Sequence, residues 1–423
     1  MFEWSDTDLI IRDSVREFID RDIRPHLDAL ESGELAPYPI LRKLFSEFGV
    51  DAMAGEAVDH LLSTQRSKAE RIAAGEPKPE KAKSSGDGGL GAAAAQASMG
   101  AILVSELSGV SLGLVAAVGV SLGLGAATIA TRGTLAQKER WLKDIVTLDK
   151  VCAWAITEPD SGSDAFGGMK TYVRRDGEDY ILNGQKTFIT NGPYADLVVV
   201  YAKLDEGDPA VGKRDRKVLT FVLDKGMEGF TQGKPFRKMG MHSSPTGELF
   251  FDNVRLGRDR LLGETEEHKG GDGRESARSS FVAERVGVAV LALGIINECH
   301  RLCVDYAKSR TLWGQEIGRF QLVQLKLARM EVARINVQNM VFNVLERAKA
   351  GKLPTLAEAS AIKLYSSETA TDVAMDAVQL FGGNGYMSEY RVEQLARDAK
   401  SLMIYAGSNE IQVTHVAKGL LAP

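Results

Sequence analysis

Apolar and polar positions divide the chain into three stretches with different periods. Up to about residue 150 the spacing is helical: Ile11, Val15 and Phe18 repeat at i, i+4 and i+7, behind Ser5 and Asp8 placed as a capping pair. From about 151 the period becomes that of strands. TYVRR, then Asp176-Gly177, then EDYIL predicts a hairpin, because Asp-Gly suits a type I′ turn. DLVVVYAKL (196–204), VLTFVLD (218–224) and ELFFDNVRL (248–256) predict further strands. No helical pattern alternates with them, which favours an antiparallel β-domain over a doubly wound sheet. From about 279 the helical period returns and lasts to the end, with Thr355 and Glu358 forming a capping box behind Pro354. The expected organisation is an N-terminal helical domain (1–150), a middle β-domain (151–270) and a C-terminal helical bundle (271–423).

Three stretches interrupt the pattern. Residues 63–88 mix charge, Pro, Gly and Ser and read as a surface insertion. Residues 263–280 form a long, polar, Gly-containing loop. Residues 107–131 carry no charge and are long enough to span a bilayer, with GxxxG spacing at Gly109/Gly113 and Gly119/Gly123. Five glycines, several hydroxyls, Glu106 at the entry and no aromatic belt argue instead for two short buried helices joined by a loop, and no membrane span.

Composition narrows the function classes. The net charge of −5 leaves no broad basic field for nucleic acid. The three cysteines, Cys152, Cys299 and Cys303, make no disulfide framework, so a reducing cytoplasm fits. The N-terminal MFEWSDTD is acidic and lacks a signal-peptide core. Gly86, Gly88 and Gly91 spell GxGxxG, but KPEKAKSS before them is no strand, so a dinucleotide fold is not indicated. Cys299, His300 and Cys303 lack a second ligand cluster and Cys299 falls on an apolar stripe. Core cysteine is the plainer reading, and no metal site is expected.

The chemistry lies elsewhere. AWAITEPDSGSDAFGG (153–168) is dense in hydroxyls and small residues, which let a backbone approach a flat ring or a phosphate. NGQKTFITNG (183–192) follows shortly after. Both resemble the flavin-binding stretches of acyl-CoA dehydrogenases. The resemblance continues through KSRTLWGQ (308–315), QLFGGNGY (379–386) and YAGSNEIQ (405–412), in that family's order. It implies an α+β fold with an N-terminal helical domain, a middle antiparallel β-barrel-like domain and a C-terminal four-helix bundle. It also implies FAD as cofactor, an acyl-CoA substrate, an electron-transfer flavoprotein as partner and a homotetramer. Carried over residue by residue, it puts Ile156, Thr157 and Ser163 along the flavin, with Ser163 also near substrate. Phe188 would stand beside the ring, and Thr190 near its reactive nitrogen. Arg310, Gln321, Gln379, Gly382 and Gly383 would bind the FAD of a neighbouring subunit. Ser408, Asn409 and Glu410 open the last helix, where free N–H groups favour an anion.

Oxidising a thioester at Cα–Cβ needs a base for the α-proton. Many members of that family hold it as a glutamate before the Gly of YxGxxxI. Here that position is Ala406. Isovaleryl-type and long-chain-type members carry it instead on a helix early in the C-terminal domain, followed by Arg, and Glu284-Arg285 matches. Helical spacing agrees: Glu284 precedes Val288, Leu291, Ile295, Cys299 and Leu302 on one apolar stripe. Burial there would raise its pKa toward the range of a working base. A buried ion pair is the structural alternative, for which the adjacent Arg285 is badly placed. The resemblance implies that Arg285 holds a CoA phosphate, and that Tyr405, Ala406 and Gly407 border the substrate. The thioester oxygen would accept from the Ala406 N–H and a flavin ribityl hydroxyl. Three alternatives remain at this stage: an oxidase of the same superfold, a non-catalytic FAD- or CoA-binding subunit, and a membrane protein. Met241-His242 departs from the family, many members carrying Arg at the second place. Neither the acyl chain's length nor its branching is legible, although the base position hints at a branched or longer chain.

Overall fold

The computed structural model describes residues 4–75, 88–208, 210–268 and 271–422. Helix α1 (Asp6–Phe18) opens on the expected capping box of Ser5 and Asp8. Helices α2 (Leu27–Ser32), α3 (Tyr38–Glu47) and α4 (Val50–Ala73) follow. The insertion expected at 63–88 is helix in its first part, because α4 continues to Ala73 on residues with good helix propensity. Residues 76–87, with Gly86, lie outside the described residues. Gly88 and Gly91 belong to helix α5 (Gly88–Ser108), and the element before it among the described residues is α4.

The apolar stretch at 107–131 corrects the expectation of two short helices. The chain turns at 109–111 and then runs helical from Leu112 to Arg132: α6 (Leu112–Gly119), a π-helical segment (Val120–Ala126) and α7 (Ala127–Arg132). This helix and Gly273–Ser309 are both long and apolar enough to cross a membrane. Inside the fold, however, Leu112, Leu114, Ala117, Ala126 and Ile129 are buried. Its small residues serve packing within the chain: a Cβ on Gly113 would stand 2.2 Å from Ser243 Oγ, and one on Gly125 2.5 Å from Cys152 Sγ. Helix α8 (Leu135–Val146) closes the N-terminal region.

Seven strands make one sheet: β1 (Cys152–Ala155), β2 (Tyr172–Asp176), β3 (Asp179–Thr190), β4 (Leu197–Leu204), β5 (Val218–Asp224), β6 (Phe230–Gln232) and β7 (Thr246–Leu256). Most pairings are antiparallel, but β4 pairs parallel with both β1 and β2, which the strand pattern alone did not reveal. The β2–β3 hairpin forms with a shifted turn. Asp176 pairs with Asp179, leaving Gly177-Glu178 as the loop, and of these two only Gly177 has positive φ (66°). That is the requirement of a type II′ turn, not type I′. β4 is buried along its length because both faces are covered. Val198, Val200 and Ala202 enter a core within the sheet, and Leu197, Val199 and Tyr201 meet Trp141, Leu142 and Ile145 of α8.

The C-terminal region holds α9 (Gly273–Ser309), α10 (Gln321–Lys349), α11 (Leu356–Phe381), α12 (Val392–Leu402) and α13 (Asn409–Leu420). Helix α9 begins at Gly273, not near 279, because Asp272 caps it by accepting from the Arg274 N–H at 2.9 Å. Nearly half of the expected polar loop, from Gly273 on, is therefore helix. α9 packs on α10 and α11, and α11 on α13. Cys299 and Cys303 are buried in this core, while His300 Nε2 lies 3.2 Å from Glu331.

Candidate active site

The 153–168 and 183–192 segments are stapled together by a buried ion pair that sequence reasoning missed. Lys186 on β3 is fully buried, and its ammonium donates to the Ile156 carbonyl and to Glu158 Oε1, both at 2.9 Å. Glu158 also accepts from the Lys170 and Thr171 N–H groups at 2.6 and 3.0 Å. Burial pushes the Glu158 carboxyl upward, but the Lys186 charge and these donors outweigh it and hold it below the usual carboxylate range. The Thr187 N–H bonds the Thr157 carbonyl at 2.9 Å. Past that staple, β3 shifts register against β7 between Lys186 and Ile189. Phe188 takes φ +58° there and stays 66% exposed, as a bulge that re-aims a side chain would make it. The hydroxyls of Thr157, Ser163 and Thr190 have no hydrogen-bond partner among the described residues. Free hydroxyls, an accessible ring and a pinned backbone fit a flat, polar-edged cofactor.

Asn191, also missed, locks the end of β3. Its amide donates to the Ala117 and Cys152 carbonyls at 2.9 and 3.0 Å and accepts from the Tyr38 hydroxyl at 3.0 Å.

Glu284 lies on α9, where Val288, Ile295 and Cys299 are buried as the stripe predicts and Leu291 and Leu302 are partly so. Its carboxylate has no hydrogen bond or ion pair among the described residues. Some of the side chain stays accessible, yet burial of the carboxyl, opposed by the charges of Arg285 and Lys363, pushes its pKa from 4.5 up to about 7. Arg285 is only 3% exposed. Its Nη1 donates to Ser360 Oγ on α11 at 3.0 Å, and its guanidinium stacks 5.7 Å from the Phe281 ring. Its charge lowers the Glu284 pKa, against the effect of burial. Phe281, one turn earlier, joins the cluster containing Ile156 and Met169, which ties α9 to the first segment.

Facing this part of α9 is the turn between α12 and α13. Ala406 and Gly407 both take left-handed backbone, φ +55° and +81°, which for alanine is strained. Gln412 Nε2 donates to both their carbonyls, at 3.2 and 2.6 Å, and Lys363 Nζ to that of Gly407 at 2.9 Å. The Ala406 N–H has no acceptor among the described residues. A Cβ on Gly407 would stand 3.6 Å from Arg285 Nη2, so the turn lies beside α9. Tyr405 is close enough that Glu284, after burial itself, raises its hydroxyl's pKa. At the start of α13, Glu410 is held below the usual range by its own N–H and by Ser408, so the chain's own carboxylate already occupies part of that helix end. Arg310, Gln321, Gln379, Gly382 and Gly383 are exposed, and no hydrogen bond among the described residues joins them to the 153–168 and 183–192 segments.

The fold and this arrangement describe a flavin-dependent oxidoreductase with one unpaired carboxylate beside a free backbone donor. Three family models match the chain in order: the acyl-CoA dehydrogenase N-terminal domain over 84–149, the middle domain over 153–254 and the C-terminal domain over 271–421. The chain belongs to the acyl-CoA dehydrogenase family, whose members use FAD to dehydrogenate acyl-CoA. An acyl-CoA dehydrogenase of Bacillus subtilis is 33% identical over 415 residues, 98% of this chain and 97% of the relative. The 3-(aryl)acrylate reductase of Clostridium sporogenes is 38% identical over 289 residues, 68% and 74% of the two chains. A glutaryl-CoA dehydrogenase from Mycobacterium smegmatis, solved in complex with FADH2, superposes with a TM-score of 0.81 at 26% identity, covering 99% and 96%.

Proposed function

We propose that Glu284 is the base of an α,β-dehydrogenation yielding the trans-2-enoyl-CoA, with electrons leaving to an electron-transfer flavoprotein. The observation carrying this reading is that Glu284, its pKa near 7 and its carboxylate unpaired, lies beside the turn whose Ala406 N–H is free. Thr157, Ser163 and Thr190 would offer hydroxyls to FAD, with Ile156 and Phe188 against its ring. FAD, when bound, supplies the acceptor for the hydride from Cβ. Glu284 removes the α-proton. The Ala406 N–H donates to the thioester oxygen as negative charge gathers there. Tyr405 and Gly407 border the acyl thioester.

The exposed Arg310, Gln321, Gln379, Gly382 and Gly383 would meet the FAD of a second subunit in a homotetramer. Trp313, Leu322 and Tyr386, which are 87%, 78% and 81% exposed, are the apolar surface that assembly would cover. A base on α9 is the placement of isovaleryl- and long-chain-type members, so branched and longer acyl groups lead the panel, and the likeness to an aryl-acrylate enzyme adds aromatic ones.

The test mixes the yellow holoprotein, without oxygen, with short, long, branched and aromatic acyl-CoAs and follows flavin absorbance. Bleaching by one class identifies the substrate. Slow re-oxidation in air, with fast re-oxidation by the electron-transfer flavoprotein, is the expected second step. Stoichiometric peroxide at a catalytic rate would instead make the enzyme an oxidase. A protein that binds FAD but bleaches with no acyl-CoA would contradict the assignment of Glu284.

A further inference from the structure

We infer that Lys363 is a positioning residue for the reaction, holding the Ala406–Gly407 turn so that the Ala406 N–H faces the thioester oxygen. The inference rests on the site proposed above and adds a residue to it. Lys363 lies in the third turn of α11 and is fully buried. On the same face of α11, at i±3 and i±4, stand the small residues Ala359, Ser360, Ser366 and Ser367, all buried. The ammonium ends on two neutral acceptors, the Gly407 carbonyl at 2.9 Å and Asn409 Oδ1 at 2.8 Å. No carboxylate lies within ion-pair distance of it among the described residues.

An ammonium placed in the interior without a paired anion is costly. A neutral side chain of similar length would fill the same slot more cheaply, so the charge needs a reason. The turn provides one. Two consecutive left-handed residues, the first an alanine, are kept only where their surroundings over-determine them. Lys363 and Gln412 pull the turn's carbonyls to the α11–α13 side, and charge-assisted bonds of the first kind are the stronger. The Ala406 N–H is left without an internal acceptor. Asn409 completes the clamp: its Oδ1 also accepts from Ser367 Oγ at 3.1 Å, and its amide donates to Glu368 at 3.3 Å.

The same helix reaches the base. Ser360, one turn before Lys363, holds Arg285 beside Glu284. α11 therefore sets the separation of base and oxyanion donor, and Lys363 adds positive charge where an enolate would form. Glu284, Arg285, Glu368 and Glu410 are the other charges that act on it.

The test uses the FAD-loaded holoprotein and a 3-oxoacyl-CoA, whose acidic α-carbon ionises to an enolate with its own near-ultraviolet absorbance. Its apparent pKa when bound measures enolate stabilisation without turnover. In Lys363→Met the enolate fraction at neutral pH should fall by about tenfold or more, and kcat by about 10- to 100-fold with KM little changed, the pattern of a misplaced transition-state donor. Lys363→Gln, which can still donate to the Gly407 carbonyl, should recover part of the loss. Unchanged ionisation in a folded, yellow Lys363→Met protein would overturn the inference, and so would loss of fold or flavin in both variants, which would make Lys363 a framework residue. A wild type that neither binds nor ionises the probe would overturn the proposed site itself.

Discussion

Replacing Glu284 with glutamine should stabilise the protein in a pH-dependent way while abolishing its chemistry. The folded state raises the carboxyl from 4.5 to about 7. Between those values the folded protein binds more protons than the unfolded chain, so stability falls as pH rises through that window. The protonated carboxyl's contribution is fully present below about pH 4.5 and lost above about pH 7. At 1.36 kcal/mol per unit, the ionised carboxylate then costs at most about 3 kcal/mol, less for whatever solvent reaches it. Glutamine keeps the shape and never ionises. The assay is thermal unfolding of both holoproteins from pH 4.5 to 8.5, reading the difference in Tm so that other titrations cancel. The gap should be near zero at the acid end and widen to a few degrees in the variant's favour by pH 8.5. A gap independent of pH, or a wild type more stable than the variant at pH 8.5, would refute the claim that this carboxylate is buried without a partner.

Flavin reduction by the true substrate should rise with pH through about 7 and level off above it, as Glu284 ionises; a rate flat from pH 5.5 to 8.5 would separate this carboxylate from catalysis. Lys186→Met strands the Glu158 carboxylate and should cost about 3–5 kcal/mol with weaker FAD retention, and Lys186→Met with Glu158→Gln should recover part of it, both read by thermal shift and flavin content. Gly125→Ala should destabilise by about 1–3 kcal/mol because its methyl meets Cys152 Sγ, whereas Gly119→Ala, with nothing within 4 Å, should be neutral or slightly stabilising in the same melt.

Element type was legible where periodicity was strong. The strands at 196–204, 218–224 and 248–256 and the caps at Ser5 and Thr355 needed only local pattern. What escaped depended on partners distant in sequence. The parallel pairing of β4 joins it to β1 across the β2–β3 hairpin and to β2 across β3, partners that no local pattern reports. The start of α9 escaped because one cap, Asp272, outweighs a run of polar residues. The turn at 177–178 slipped by one position because Asp176 is used in pairing.

In the site, Glu284 could be picked out because a carboxylate on an apolar helical stripe is anomalous. Lys186 and Glu158 stood inside the two segments singled out, yet an ion pair joining them shows only when β3 crosses the end of β1. Lys363 had a weaker local signal, a lysine among Ala and Ser at helical spacing, and its partner is a backbone carbonyl that no side-chain pattern reports. Arg285 was legible as a charge but not as a buried one.

The central claim is that Glu284 takes the α-proton, and single-turnover flavin reduction in wild type and Glu284→Gln tests it most directly. Mixed without oxygen with the acyl-CoA that bleaches the wild type, the variant should keep its yellow colour, its FAD and its affinity for the thioester, and reduce at least about a hundredfold more slowly. Equal rates in the two proteins would contradict the account and place the base elsewhere.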